Sequence, residues 1–210
     1  MDIKLSAKAF AQFLVGGPHK REQIVRNIRK SESKEAKAIS HYYSPAVAVI
    51  RKYHAKGNDR TFLKEQLQKL MMGVEAAPNP WARAKFRNNV RVIHRYIELY
   101  GTKSWNILSR PRISLVSHGV RVSEWPDIAA EESGKVSLIK LGPAKQKESV
   151  EAIRIILRVI FSAATVRFKL EPRDITYLDI RRAVQYTGSP GDSDLDHTIN
   201  SGCRSLVAMF

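Results

Sequence analysis

Residues 125–140 decide how this chain is read: Trp125-Pro126-Asp127-Ile128-Ala129-Ala130-Glu131-Glu132-Ser133-Gly134-Lys135-Val136-Ser137-Leu138-Ile139-Lys140. Pro126-Asp127 is a turn signature ahead of a strand. Ile128 to Ala130 and residues 136–141 are short β-prone runs, and Ser133-Gly134 between them predicts a hairpin turn. Upstream, residues 113–116 and 120–122 are two further β-prone runs. Downstream, residues 145–164 form a strongly apolar helical stretch carrying Val150, Ile153, Ile156, Leu157, Ile160 and Phe161. A helix apolar over so much of its girth is expected to pack across a sheet. Residues 175–180 and 183–186 suggest one more strand or a hairpin. A turn-rich loop at 187–192 then leads to a last helix with Leu195, Ile199, Cys203, Leu206 and Val207.

The chain before residue 101 has a different rhythm: helices separated by stops. Ser6 can cap a short helix holding Phe10, Phe13 and Leu14, which Gly16-Gly17-Pro18 ends. Residues 19–30 place Ile24, Val25 and Ile28 on one side. A charged segment at 31–37 leads to Ser44-Pro45, a helix start with proline in the first turn. Ala46, Val49, Ile50 and Tyr53 follow at the spacing of a buried stripe. Asp59 can cap a helix whose apolar side is Leu63, Leu67, Leu70 and Met71. Residues 73–80 are a turn-rich hinge, and Asn79-Pro80 opens the longest helix, with Phe86, Val90, Ile93, Ile97 and Tyr100 as its core face. The expected fold is α+β, with a basic all-helical lobe at 1–79 and an α/β unit at 80–210.

Charge narrows the partners. The formal net charge is +16, and residues 1–110 hold 22 Lys+Arg against 8 Asp+Glu, a net of +14. Residues 111–210 hold 14 against 12, a net of +2. A field of that sign attracts polyanions, so DNA or RNA is the expected partner. The lone cysteine, Cys203, excludes an internal disulfide and a Cys-based zinc cluster, and fits a reducing compartment. No stretch is apolar and long enough to span a bilayer, and the N-terminus lacks a secretory h-region, so no membrane partner and a cytoplasmic location are expected.

Taken in order, helix, strand, strand beginning at Pro126-Asp127, turn, strand ending at Leu138-Ile139-Lys140, long helix, strand resembles the PD-(D/E)xK nuclease-like superfamily, whose core is αβββαβ. The resemblance covers roughly residues 80–187. It implies that Asp127 is the first acidic residue, which helps hold a divalent cation through oxygen ligands, and that Lys140 is the lysine beside the attacking water or the phosphate. The family's second acid, two positions before the lysine, is Leu138 here. A migrated acid would be Glu98 on the preceding helix or Glu151 on the following one. The metal set implied is therefore Asp127 with Glu98 or Glu151. No cofactor is required for binding, and Mg²⁺ or Mn²⁺ would serve an active core.

Arg83, Arg87, Arg91 and Arg95 recur every four residues on the longest helix, a slanting ridge with about 6 Å between steps, close to the phosphate spacing of a single strand. Arg26, Arg29 and Lys30 add a second basic group. Tyr42 and Tyr43 are candidates for base stacking. Trp81 is expected to staple the helix start. The favoured function is nucleic-acid binding with a degenerate or weakly active nuclease-like core. Rivals are a divalent-metal nuclease of a repair, restriction or mobile-element system, and an interaction subunit that holds a protein partner through the helical lobe. Whether the chain is an enzyme is left open by Leu138.

Overall fold

The computed structural model describes residues 3–30 and 42–210, and the charged segment expected at 31–37 lies outside them. The chain is a mixed α+β structure with two sheets. Strand β1 (Ile3–Ser6) runs directly into helix α1 (Ala7–Val15), where the Ser6 hydroxyl accepts from Ala9 N at 3.1 Å. Helix α2 (Pro18–Arg29) follows. Helices α3 (Ser44–Ala55), α4 (Arg60–Glu75) and α5 (Pro80–Tyr100) come next, with Asp59 and Asn79 capping α4 and α5 as their spacing predicts. Strands β2 (Asn106–Ile107), β3 (Ile113–Ser117), β4 (Val120–Glu124), β5 (Ile128–Glu132) and β6 (Lys135–Gly142) precede helix α6 (Val150–Ala164). Strands β7 (Ile175–Asp179) and β8 (Val184–Thr187) and helix α7 (Leu195–Val207) complete the order.

The larger sheet has the order β2-β5-β6-β7-β8. β5 and β6 form the predicted hairpin, with Ser133 and Gly134 both at positive φ. β6 and β7 are parallel and joined through α6, the crossover such a pair needs. Side-chain alternation splits this sheet between two cores. Ala129, Leu138, Ile175 and Tyr177 face α1, α6 and α7, together with Phe10, Phe13, Ile156 and Cys203. Ile128, Ala130, Ile139, Leu141 and Leu178 face α3 and α5, together with Ile50, Tyr53, Ile93 and Tyr96.

Several expectations are revised. The front half is not all-helical: β1 pairs in parallel with β4 to make a second sheet, β1-β4-β3. Neither core divides at residue 79, because β1 and α1 pack with the C-terminal helices while α3 and α4 pack with α5. Gly73 does not stop α4. It lies inside the helix, where an added Cβ would stand 2.8 Å from the Phe86 ring, so it marks a close helix crossing. The α5 core face is rotated from the expected one. Asn89, Val92 and Tyr96 are buried beside Val90 and Ile93, whereas Phe86, Ile97 and Tyr100 are only partly buried. Asn89 is tolerated there because its amide is satisfied: it accepts from Ala46 N at 2.8 Å and donates to the carbonyls of Tyr42 and Lys85. The apolar helix begins at Val150 rather than 145, capped by Ser149. Among the described residues no helix is long and apolar enough to cross a membrane.

Candidate functional site

Glu124 ends β4, Trp125-Pro126 turns the chain, and Asp127 stands just before β5. Asp127 N donates to Ile139 O at 2.9 Å, and its Oδ2 accepts from Leu141 N at 2.8 Å, so the hairpin backbone fixes this carboxylate. Lys140, on β6, projects from the same face as Leu138. Its Nζ donates to Glu124 Oε1 at 3.0 Å and lies 3.2 Å from Asp127 Oδ2. Glu124 Oε1 also accepts from Trp125 N at 3.0 Å. Both carboxylates therefore lie within about two hydrogen-bond lengths of each other, bridged by one ammonium.

Burial alone would lower the Lys140 pKa, but the charges and hydrogen bonds of Asp127 and Glu124 more than offset it and hold it above the ordinary lysine value. Lys140 is thus a fixed cation rather than a proton acceptor. Its register partner Tyr177 is buried, and burial, with Glu148, Asp179 and Asp127 nearby, raises the phenol so that it stays neutral. Glu148, just ahead of α6, is buried and held by Lys8 at 2.6 Å and by Gln12. These groups gather near the carboxyl ends of the parallel strands β6 and β7, where open α/β sheets place their ligands.

The structure brings Asp127 and Lys140 into contact, as expected. It does not use the other expected acids there. Glu98 is on the α5 surface, paired with Arg95 at 2.7 Å, and Glu151 is exposed in the first turn of α6. The carboxylate beside Asp127 is Glu124, which sequence reasoning passed over. Leu138, two positions before Lys140, is 1 % exposed and belongs to the first core.

These residues do not fit a resident Mg²⁺ or Mn²⁺. The two carboxylates would supply oxygen ligands, but the Lys140 ammonium already fills the space between them, and a cation would have to displace it. Among the described residues no group of three or more His, Cys, Asp or Glu side chains is arranged to hold a metal.

The basic residues sort differently. Arg83, Arg87 and Arg91 are exposed and have no acidic partner among the described residues, while Arg95 is half-buried and tied to Glu98. At about 100° per residue this ridge centres roughly opposite the buried Asn89–Val92–Ile93–Tyr96 face. Four arginines of the second half are committed to carboxylates instead: Arg154 to Asp192, Arg158 to Asp196, Arg173 to Glu171 and Arg182 to Asp179. Arg26 and Lys30 are exposed on α2, but Arg29 donates to the carbonyls of Met209 and Phe210. α2 packs on α1 and β1, so this group sits in a different layer from α5. At the start of α5, Trp81 is 50 % exposed rather than a packed staple. Tyr42 meets its edge at 5.8 Å, Lys85 sits over its ring at 5.5 Å, and Tyr42 also meets Tyr43 edge-on.

No family model, curated protein or solved structure matches this chain.

Proposed function

We propose that this protein binds DNA or RNA through the outer face of α5, and that its Glu124–Asp127–Lys140 cluster is a nuclease-like core of PD-(D/E)xK type that has lost catalytic metal binding. The observation that carries the binding reading is the contrast between arginines. Arg154, Arg158, Arg173 and Arg182 are neutralised by carboxylates of the protein, whereas Arg83, Arg87 and Arg91 are exposed without one among the described residues. A half-exposed Trp81 beside Tyr42 offers a stacking surface at one end of that ridge. The nuclease-like reading is supported by the β5-β6 hairpin followed by α6 and the parallel β7, and by the Asp127–Lys140 contact, although the strands the resemblance places ahead of Pro126-Asp127, β3 and β4, belong to the other sheet. The degenerate reading is supported by Leu138 and by an ammonium in the place a cation would take.

The test is a binding titration of the full chain against single-stranded DNA, duplex DNA and RNA across a salt series. Affinity that falls steeply with salt for at least one of them is the expected result, because phosphate contacts release counterions. No binding to any of the three at low salt overturns the proposal. A second reading is favoured by one feature of α4. Met71 and Met72 are exposed, and Leu63, Leu67 and Met71 line a cavity of about 640 Å³ rimmed by Arg60, Lys64 and His94. Such a surface suits a protein partner with an apolar, acidic segment, which would make the chain an interaction subunit.

A further inference from the structure

A second basic feature lies away from α5. Between the outer face of the three-stranded sheet and the C-terminal end of α6 is a cavity of about 560 Å³. Its walls carry four cations, Lys4, Arg112, Arg121 and Arg167, and the Ser114 hydroxyl, and its described lining holds no carboxylate. Ile113, Ala163 and Val166 supply apolar wall. The fold places these groups firmly. Lys4 and Arg121 are register partners on β1 and β4, Ser114 and Ser123 share a hydrogen bond at 2.9 Å, and Arg167 Nη1 donates to Arg112 O at 3.3 Å.

Lys4 and Arg121 have interactions of their own within the protein, so the chemistry rests on Arg112 and Arg167. Neither has an acidic partner among the described residues. A guanidinium group matches phosphate oxygens in a two-pronged fashion that a lysine does not. The volume lies in the range of pockets that enclose a small organic ligand, larger than a phosphate ion needs. A lining that combines cations with apolar wall suits an anion attached to an organic body.

We propose that this cleft binds a phosphomonoester on a nucleoside, either the 5′-terminal phosphate of a nucleic-acid strand or a free nucleotide. It is separate from the α5 ridge, so each surface can be removed without the other. The experiment uses the full chain and one short single-stranded oligonucleotide carrying a 5′-phosphate or a 5′-hydroxyl, with adenosine 5′-monophosphate and adenosine as direct ligands and as competitors. The phosphorylated strand is expected to bind about tenfold more tightly, the factor one charge-assisted hydrogen bond supplies. The double variant Arg112→Gln/Arg167→Gln, at two exposed positions, should erase that preference. Arg83→Gln/Arg87→Gln/Arg91→Gln should weaken both strands and keep it. Competition by the monophosphate but not by adenosine assigns the site to free nucleotides as well, and strand preference without such competition assigns it to strand ends. If strands bind weakly or not at all, direct binding of the monophosphate over adenosine, lost in the Arg112/Arg167 variant, still supports the cleft. Absence of any phosphate preference with either probe, or a preference unchanged in that double variant, overturns it.

Discussion

Glu124 Oε1 lies 3.0 Å from Lys140 Nζ, sixteen residues away in sequence, and that single ammonium also neutralises Asp127. Removing the cation strands two nearly buried carboxylates. Lys140→Met should therefore destabilise the fold by about 3 kcal/mol or more, measured by urea unfolding. The pKa of Lys140 is raised in the folded state, so its contribution is fully present below the ordinary lysine value of 10.5 and lost as pH rises through the folded value. The variant should show a shallower loss of stability than the parent at alkaline pH. Equal slopes would remove the cluster from the stability of the hairpin.

On α5 the three free arginines and the paired one should behave differently. Arg83→Gln/Arg87→Gln/Arg91→Gln should reduce the slope of log K against log salt by about two to three. Arg95→Gln should change it little, because Arg95 already serves Glu98 at 2.7 Å. A slope unaltered in the folded triple variant would take the ridge out of the interface.

What the sequence made legible was local. Caps at Ser6, Asp59 and Asn79 lie within three residues of the amides they serve, and the β5–β6 hairpin is announced by its own turn. What stayed hidden depends on distant partners. Ile3–Ser6 is a strand because residues 120–123 lie beside it, and four residues alone do not show that. Glu124 lies just beyond the β-prone run at 120–122 and was passed over, and only the folded hairpin swings Lys140 back to it. A carboxylate three positions before the Asp127 of the motif was the available signal. Gly73 looked like a stop because glycine disfavours helices, yet its purpose is set by Phe86 across the crossing.

That crossing makes a prediction whose sign runs against helix propensity. Gly→Ala inside a helix ordinarily stabilises by about 1 kcal/mol. At Gly73 the new methyl would meet Phe86 ring atoms at 2.8 to 3.0 Å, and overpacking of this kind costs about 1–3 kcal/mol. Gly73→Ala should lower the thermal midpoint rather than raise it.

His54 gives the acid side. It is 2 % exposed, with Nδ1 3.1 Å from Lys103 O and Nε2 2.9 Å from the Tyr96 hydroxyl. A carbonyl can only accept, so Nδ1 carries the proton and Nε2 accepts from Tyr96. Burial holds its pKa below 6.5, outweighing the hydrogen bonds with the Asn58 side chain and the Lys103 carbonyl that favour protonation. The unfolded chain then takes up the proton first, and stability falls as pH drops below 6.5 towards the folded value. His54→Gln should flatten that part of the stability–pH curve, followed by denaturant titrations between about pH 7 and 5.

Catalysis supplies the last test. Incubation with plasmid and Mg²⁺ should give no Asp127-dependent cleavage, because Lys140 already neutralises the Asp127 and Glu124 carboxylates. Leu138→Asp restores the family's acid in sequence but buries a charge in the first core, and should cost several kcal/mol of stability. Robust cleavage by the parent protein, abolished by Asp127→Ala, would overturn the degenerate reading.

The parallel pairing of Ile3 with Val120 has a consequence for biosynthesis. Synthesis is vectorial, and β1 cannot dock until β4 has emerged from the ribosome. The face of α1 that carries Phe10 and Phe13 waits longer still, for α6 and α7. This segment, made before the strands and helices it packs on, is thus among the last to find its partners, and its aromatic face stays open to chaperones or to neighbouring nascent chains until they emerge. Folding of this part should be slow by the measure of contact order.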